Sequence, residues 1–133
     1  MKTEKKGQVA VILPVYKNDR DDYLNLAVES ILNQTCKDFH LFIGVDGQVG
    51  ESLTNYLKLE AKQSKVSVIW YKENRGLACV LNDLFDLCFE NGYEYIARMD
   101  ADDISAPNRL EKQMKFLYFH TDIDVVGGYF RDK

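Results

Sequence analysis

Apolar positions along this chain follow two alternating rhythms. One is the short, mainly apolar run: Val9-Ala10-Val11-Ile12-Leu13, which is continuous, then Phe39 to Val45, Val66 to Tyr71, Tyr95 to Met99, and Ile123 to Val126. Runs of this length with β-branched residues, apolar on both faces, suit strands buried inside a parallel sheet. The other rhythm is helical. Leu24, Ala27, Val28, Ile31 and Leu32 form one stripe, and Leu53, Tyr56, Leu57 and Ala61 a second. Leu77, Val80, Leu81, Leu84, Phe85 and Cys88 form a third, and Leu110, Met114 and Leu117 a fourth.

Punctuation falls between the runs. Pro14 is expected to stop the first strand, Asp46-Gly47 the second, and the turn Glu73-Asn74-Arg75-Gly76 the third. Asp21-Asp22 open the first helix, where the helix dipole favours negative charge. Asn91-Gly92 end the third helix, and Pro107 suits the first turn of the fourth. The order β-α-β-α-β-α-β-α-β predicts one α/β domain over residues 1–133, a three-layer α/β/α, Rossmann-like arrangement with a mostly parallel sheet. The last strand-like run lies close to Lys133, so the fold is expected to continue beyond it.

Composition narrows the function classes. A formal charge of −4, with no basic run longer than Lys5-Lys6, excludes a general nucleic-acid binder. No segment approaches the roughly 18 to 20 apolar residues of a membrane span. MKTEKKGQ leads into too short an apolar stretch for a signal peptide, so the expected location is cytoplasmic. Cys36, Cys79 and Cys88 lack metal-ligand spacing and read as reduced thiols with core packing as their default role. His40 and His120 are isolated, which argues against a histidine zinc site.

In a parallel sheet, ligands bind at the edge where the strands end. Pro14-Val15-Tyr16, Asp46-Gly47, Asn74-Arg75-Gly76 and Asp100-Ala101-Asp102-Asp103 follow the first four strands and meet at that edge. The carboxylates after the fourth strand repel one another unless something offsets their charge. A divalent cation would do so, and hard oxygen ligands suit Mg²⁺ or Mn²⁺. The alternative is a solvated loop in which Asp103 or Ser105 caps the next helix. Asp46 could accept hydrogen bonds from a base or make the turn with Gly47. Tyr16 could stack on a base or pack on the sheet edge, and Arg75 could face phosphate or solvent. Neither the Rossmann nor the Walker glycine pattern is present.

Five stretches, in order, resemble the GT-A glycosyltransferases of family 2: VAVILPVYKND, AVESILNQTCKDFHLFIGVDG, ENRGLACVLND, YIARMDADDISAPNRLEKQ and DIDVVGG. The resemblance covers nearly the whole chain. It implies a GT-A fold, a nucleotide-diphosphate-sugar donor, UDP-linked in preference to GDP-linked, and inverting transfer to an acceptor hydroxyl. Asp100-Ala101-Asp102 matches the D-x-D motif, which makes Asp102 the implied ligand of Mg²⁺ or Mn²⁺ and Asp100 a second candidate. Asp46 matches the base-reading carboxylate, Pro14, Val15 and Tyr16 the first nucleotide-contacting loop, and Arg75-Gly76 the turn near the donor. Val45 stands where the family often has another acid, and Gln48-Val49-Gly50 replace its usual serine and acidic residue.

The resemblance further implies a glycan or lipid-linked acceptor in polysaccharide assembly. It places the catalytic base beyond Lys133, and the full-length protein at the inner face of the membrane. The isolated chain is expected to transfer sugar weakly or not at all. Rival readings are a phosphoryl-transfer domain using Asp100 and Asp102, a receiver-like signalling domain, or a nucleotide-sugar sensor that never turns over. The first two want their acids after an early strand, where this chain has Pro14-Val15-Tyr16.

Overall fold

The computed structural model describes residues 9–93 and 95–113. Seven elements alternate: β1 (Val9–Val15), α1 (Asp21–Leu32), β2 (Phe39–Asp46), α2 (Glu51–Glu60), β3 (Val66–Tyr71), α3 (Leu77–Glu90) and β4 (Tyr95–Arg98). A further helical stretch begins at 109. The expected fifth strand, Ile123 to Val126, the later part of the fourth helix and His120 lie outside the described residues. All pairings are parallel, in the order β3-β2-β1-β4.

The two-residue period of the strands divides the core into two layers. Val9, Val11, Leu13 and Val15 of β1, with Phe39, Leu41, Ile43 and Val45 of β2, pack against Leu24, Ala27, Val28 and Ile31 of α1 and Leu53 and Leu57 of α2. Leu110 joins that layer. On the other face Ala10, Ile12 and Phe42 meet Val80, Leu84 and Cys88 of α3. A Cβ on Gly44 would lie 2.7 Å from Val80 Cγ1, so the bare glycine is what admits α3 this close to the sheet. Helices therefore cover both faces, as the pattern of apolar runs predicts.

Right-handed crossovers set where a crevice must open. From β1 the chain steps to β2 and then β3, with α1 and α2 on one face. From β3 it crosses back beneath α3, on the other face, to place β4 beyond β1. The order reverses between β1 and β4, and that reversal is the switch point where open α/β sheets bind ligands.

Three strand ends differ from expectation, β4 ending at Arg98 rather than Met99. Pro14 does not stop β1, which continues through Pro14↔Gly44 and Val15↔Val45. Its β4 partners end at Ile12↔Arg98, followed by the Met99 N–H donating to the Ile12 carbonyl at 3.0 Å. Alternate residues of a strand point their amides to opposite sides, so Pro14 faces the β4 side, where the ladder has already ended. Its missing N–H therefore costs no sheet hydrogen bond. β2 likewise runs one residue further than predicted, through Asp46. Pro107 sits in a turn just ahead of the helical stretch rather than inside its first turn.

Candidate functional site

Two segments flank the switch point. After β1 comes a tight loop in which Asp19 accepts the Tyr16 N–H on Oδ2 at 2.9 Å, while the Asp19 N–H donates to the Tyr16 carbonyl at 3.0 Å. These reciprocal bonds fix the backbone that carries Tyr16, which is half-buried. Pro14 and Val15, read from sequence as part of this loop, belong to the strand and are buried with it.

After β4 comes the acidic turn. Asp103 Oδ2 accepts the Asp100 N–H at 2.9 Å, and the Asp103 N–H donates to the Asp100 carbonyl at 3.0 Å. Asp103 thus closes its own turn instead of capping the next helix, the role that the solvated-loop alternative would give to it or to Ser105. Ala101 is buried in the α1 layer, which anchors the middle of the turn. Asp100 keeps one oxygen 3.4 Å from Arg98 Nη2. Asp102 is exposed and makes no hydrogen bond or ion pair with any described residue.

The two segments face each other electrostatically. Burial raises the Asp19 carboxyl above its ordinary value; the Tyr16 amide works against this, and the charges of Asp102 and Asp100 push it higher still. Three carboxylates therefore share a negative field across the switch point. Among the described residues no three His, Cys, Asp or Glu side chains close around a metal position. That does not count against Mg²⁺, which is commonly held by one or two carboxylates with phosphate oxygens and water completing the octahedron. Asp102, exposed and without a hydrogen bond or ion pair among the described residues, could hold a cation in this field, with Asp100 beside it.

Asp46 stands one strand away and is only 2% exposed. Its Oδ1 accepts the Arg75 N–H at 2.7 Å and its Oδ2 the Gly76 N–H at 3.0 Å. Gly76 is the N-cap of α3, so the carboxylate lies at the positive end of that helix dipole. Gly47 makes the approach possible: its φ is +79°, and a Cβ there would sit 2.9 Å from the Asn74 nitrogen. Asp46 and Gly47 together pin the β3–α3 loop to the end of β2. The Arg75 guanidinium extends from that loop to Asp83 Oδ2 at 2.6 Å and is largely exposed.

Several residues at this edge escaped the sequence reading. Asp19 lies in the same loop as Tyr16, but nothing local marks it as facing Asp102. Arg109 reaches back from the helical stretch, donating from Nη2 to the Arg98 carbonyl at 2.7 Å and from Nη1 to Ser105 Oγ at 2.9 Å. Gln34 and Ser30, on and just after α1, hold the backbone that leaves the acidic turn. The polar pair Asn33-Gln34 directly after the apolar stripe of α1 was the one available signal. Of the cysteines only Cys88 is fully buried; Cys79 is exposed, and the default core role does not apply to it. No described helix is long and apolar enough to cross a membrane.

Known proteins share this architecture. Staphylococcus aureus TarS superposes with a TM-score of 0.70 at 20% identity, over 86% of this chain and 20% of that one. Residues 1–349 of TarS, solved in complex with UDP, give 0.65 at 19% identity, over 86% of this chain and 33% of the other. By sequence, the bifunctional glycosyltransferase pgtA of Dictyostelium discoideum is 36% identical over 130 residues, covering 90% of this chain and 17% of its own. The O-antigen biosynthesis glycosyltransferase WbnJ of Escherichia coli is 35% identical, covering 90% of this chain and 44% of its own. The amylovoran biosynthesis glycosyltransferase AmsE of Erwinia amylovora is 30% identical, with 90% and 44% covered. The chain thus spans less than half the length of each of these relatives. The model of the family described as Glycosyl transferase family 2 matches residues 10–133, and by that match, over the parallel sheet and switch point described above, the chain belongs to glycosyl transferase family 2.

Proposed function

We propose that this chain is the donor-binding part of an inverting glycosyltransferase that takes a nucleotide-diphosphate sugar with Mg²⁺ or Mn²⁺. The observation that carries the reading is Asp102: exposed, without a hydrogen bond or ion pair among the described residues, held in a locked turn at the switch point, and within electrostatic range of Asp19 in the β1–α1 loop. A negative field at the ligand edge of an α/β sheet, offset only in part by Arg98 beside Asp100, calls for a cation, and a cation there calls for an anionic group such as a diphosphate.

The chain's own residues have separable roles in this reading. The β1–α1 loop offers the Tyr16 ring to the nucleoside, with Pro14 and Val15 setting its floor. Asp46 holds Arg75 and Gly76 against the crevice, and any contact it makes to the base uses lone pairs that the two amides leave over. Asp102, with Asp100 beside it, would hold the ion, which would supply Lewis-acid stabilisation of the leaving diphosphate. An acceptor hydroxyl attacks the anomeric carbon from the face opposite the diphosphate, inverting that centre; no described residue is assigned as its base.

A UDP-linked hexose or N-acetylhexosamine is the proposed donor, supported by the UDP bound to TarS. A glycan or lipid-linked acceptor is supported by the relatives named for O-antigen and amylovoran biosynthesis. The test is a thermal-shift and calorimetric screen of UDP, GDP and their sugars with and without Mn²⁺. Stabilisation by UDP that requires Mn²⁺ and vanishes in Asp102→Ala is the expected result. Nucleotide binding that ignores both the ion and that substitution would overturn the reading.

A further inference from the structure

Gln34 is fully buried, yet it is polar and lies far in sequence from the acidic turn at Asp100–Asp103. Its hydrogen bonds explain the burial. Nε2 donates to the Ser30 carbonyl at 3.0 Å and to the Ala106 carbonyl at 2.6 Å, and Oε1 accepts the Leu110 N–H at 2.9 Å. Both donors and an acceptor lone pair of the amide are thereby used, which is what a buried amide requires.

The neighbouring residues extend the contact. Ser30 Oγ accepts the Ser105 N–H at 2.9 Å, the Thr35 N–H donates to the Pro107 carbonyl at 2.8 Å, and Thr35 Oγ1 donates to Glu111 Oε1 at 2.8 Å. The C-terminal end of α1 therefore grips residues 105, 106, 107, 110 and 111 in succession. The gripped segment is the one that leaves the Asp100–Asp103 turn, and its first bonded residue, Ser105, is three positions from Asp102. Across β4, Arg109 ties the same segment to the Arg98 carbonyl. The turn is thus held at both ends, by the sheet before it and by α1 after it.

We infer that Gln34, with Ser30, is a positioning residue for the acidic turn, setting the placement of Asp102 by fixing the backbone that follows it. This rests on the proposed donor site, but the hydrogen-bonded grip on residues 105–110 stands without it. Outer partners that orient a ligand residue typically alter metal affinity by about 10- to 100-fold when removed. An effect in that range is expected for Gln34 even though it touches neither ion nor nucleotide.

The test compares Gln34→Met, which fills the same volume without hydrogen bonds, with Leu57→Ala, which weakens the same core layer but touches none of these bonds. Two readouts are taken on each folded variant of the 133-residue chain. Hydrogen exchange of the amides from Asp100 to Leu110 needs no ligand. It is expected to quicken in Gln34→Met well beyond the general quickening seen in Leu57→Ala, and equal protection in the two variants overturns the inference. UDP affinity in the presence of Mn²⁺ is expected to fall about 10-fold or more in Gln34→Met and to stay near wild type in Leu57→Ala. Unchanged affinity in Gln34→Met, beside a wild type that does respond to Mn²⁺, refutes a role in placing Asp102. A wild type with no Mn²⁺ response removes the donor-site reading instead, and the exchange measurement alone then decides whether Gln34 positions the turn. Ser30→Ala should show the same exchange pattern, confined more closely to Ser105.

Discussion

Replacing Asp46 by asparagine isolates what its carboxylate does. In the native protein two backbone donors, at 2.7 and 3.0 Å, reach separate oxygens of one buried side chain. Hydrogen bonds to a charged group contribute about 1.5–3 kcal/mol each, and neutral ones about 0.5–1.5. Asparagine keeps one acceptor and turns the other position into an NH₂ group facing an N–H. One charge-assisted bond is lost, and the other becomes a neutral bond. The relief from no longer burying a charge offsets part of that, leaving a net loss of about 2 kcal/mol.

For a domain of this size, such a loss lowers the melting temperature by about 6–10 °C. Urea denaturation followed by circular dichroism measures the free energy. Amide exchange at Arg75 and Gly76 locates it, because those two protons should lose protection first. The clamp is refuted if Asp46→Asn unfolds within about 0.5 kcal/mol of wild type, the usual range for a neutral surface change, and both amides keep their protection. The same variant bears on base recognition. A purely clamping Asp46 weakens nucleotide binding only as far as the loop loosens, and equally for UDP and GDP.

Three further outcomes follow from the geometry. Gly47→Ala should cost about 2–4 kcal/mol, since an L side chain is strained at φ +79° and its Cβ would press on the Asn74 backbone; denaturation midpoints check this. Asp19 has a folded-state carboxyl raised above its unfolded value, so its contribution to stability is fully present below about pH 3.8 and is lost as pH rises through the higher folded value. Asp19→Asn should therefore flatten the stability–pH curve over that window and be relatively more stable at neutral pH, as equilibrium denaturation at pH 3 and pH 7 would reveal. Burial pushes the Cys88 thiol up to about 12, whereas Cys79 is exposed, so alkylation of the native protein should label Cys79 quickly and Cys88 only on unfolding, as peptide mass spectrometry would read.

What the sequence determined by itself was local or periodic. Mainly apolar runs of four to seven residues alternating with helical stripes specify buried parallel strands and covering helices, because side-chain period and burial are properties of the segment alone. Alternation also dictates that strand ends collect at one edge, so Asp46, Arg75, Gly76, Asp100 and Asp102 were all legible as residues that follow or end strands at that edge. Five ordered motifs carried the family.

Tertiary structure decided what depends on partners distant in the chain. Pro14 could remain in β1 only because β4 stops pairing at Ile12, and no local rule contains the length of a neighbouring strand. Asp46 reads in sequence as a turn residue or a base acceptor. In the fold it clamps the β3–α3 loop, since the amides of Arg75 and Gly76 arrive from thirty or so residues away. Asp19 comes within electrostatic range of Asp102, and Gln34 holds residues 106 and 110, only once crossover handedness has set β4 beside β1. Hydrogen bonds and charge are short-ranged and indifferent to sequence separation, so the pairs they join are specified only by the folded chain.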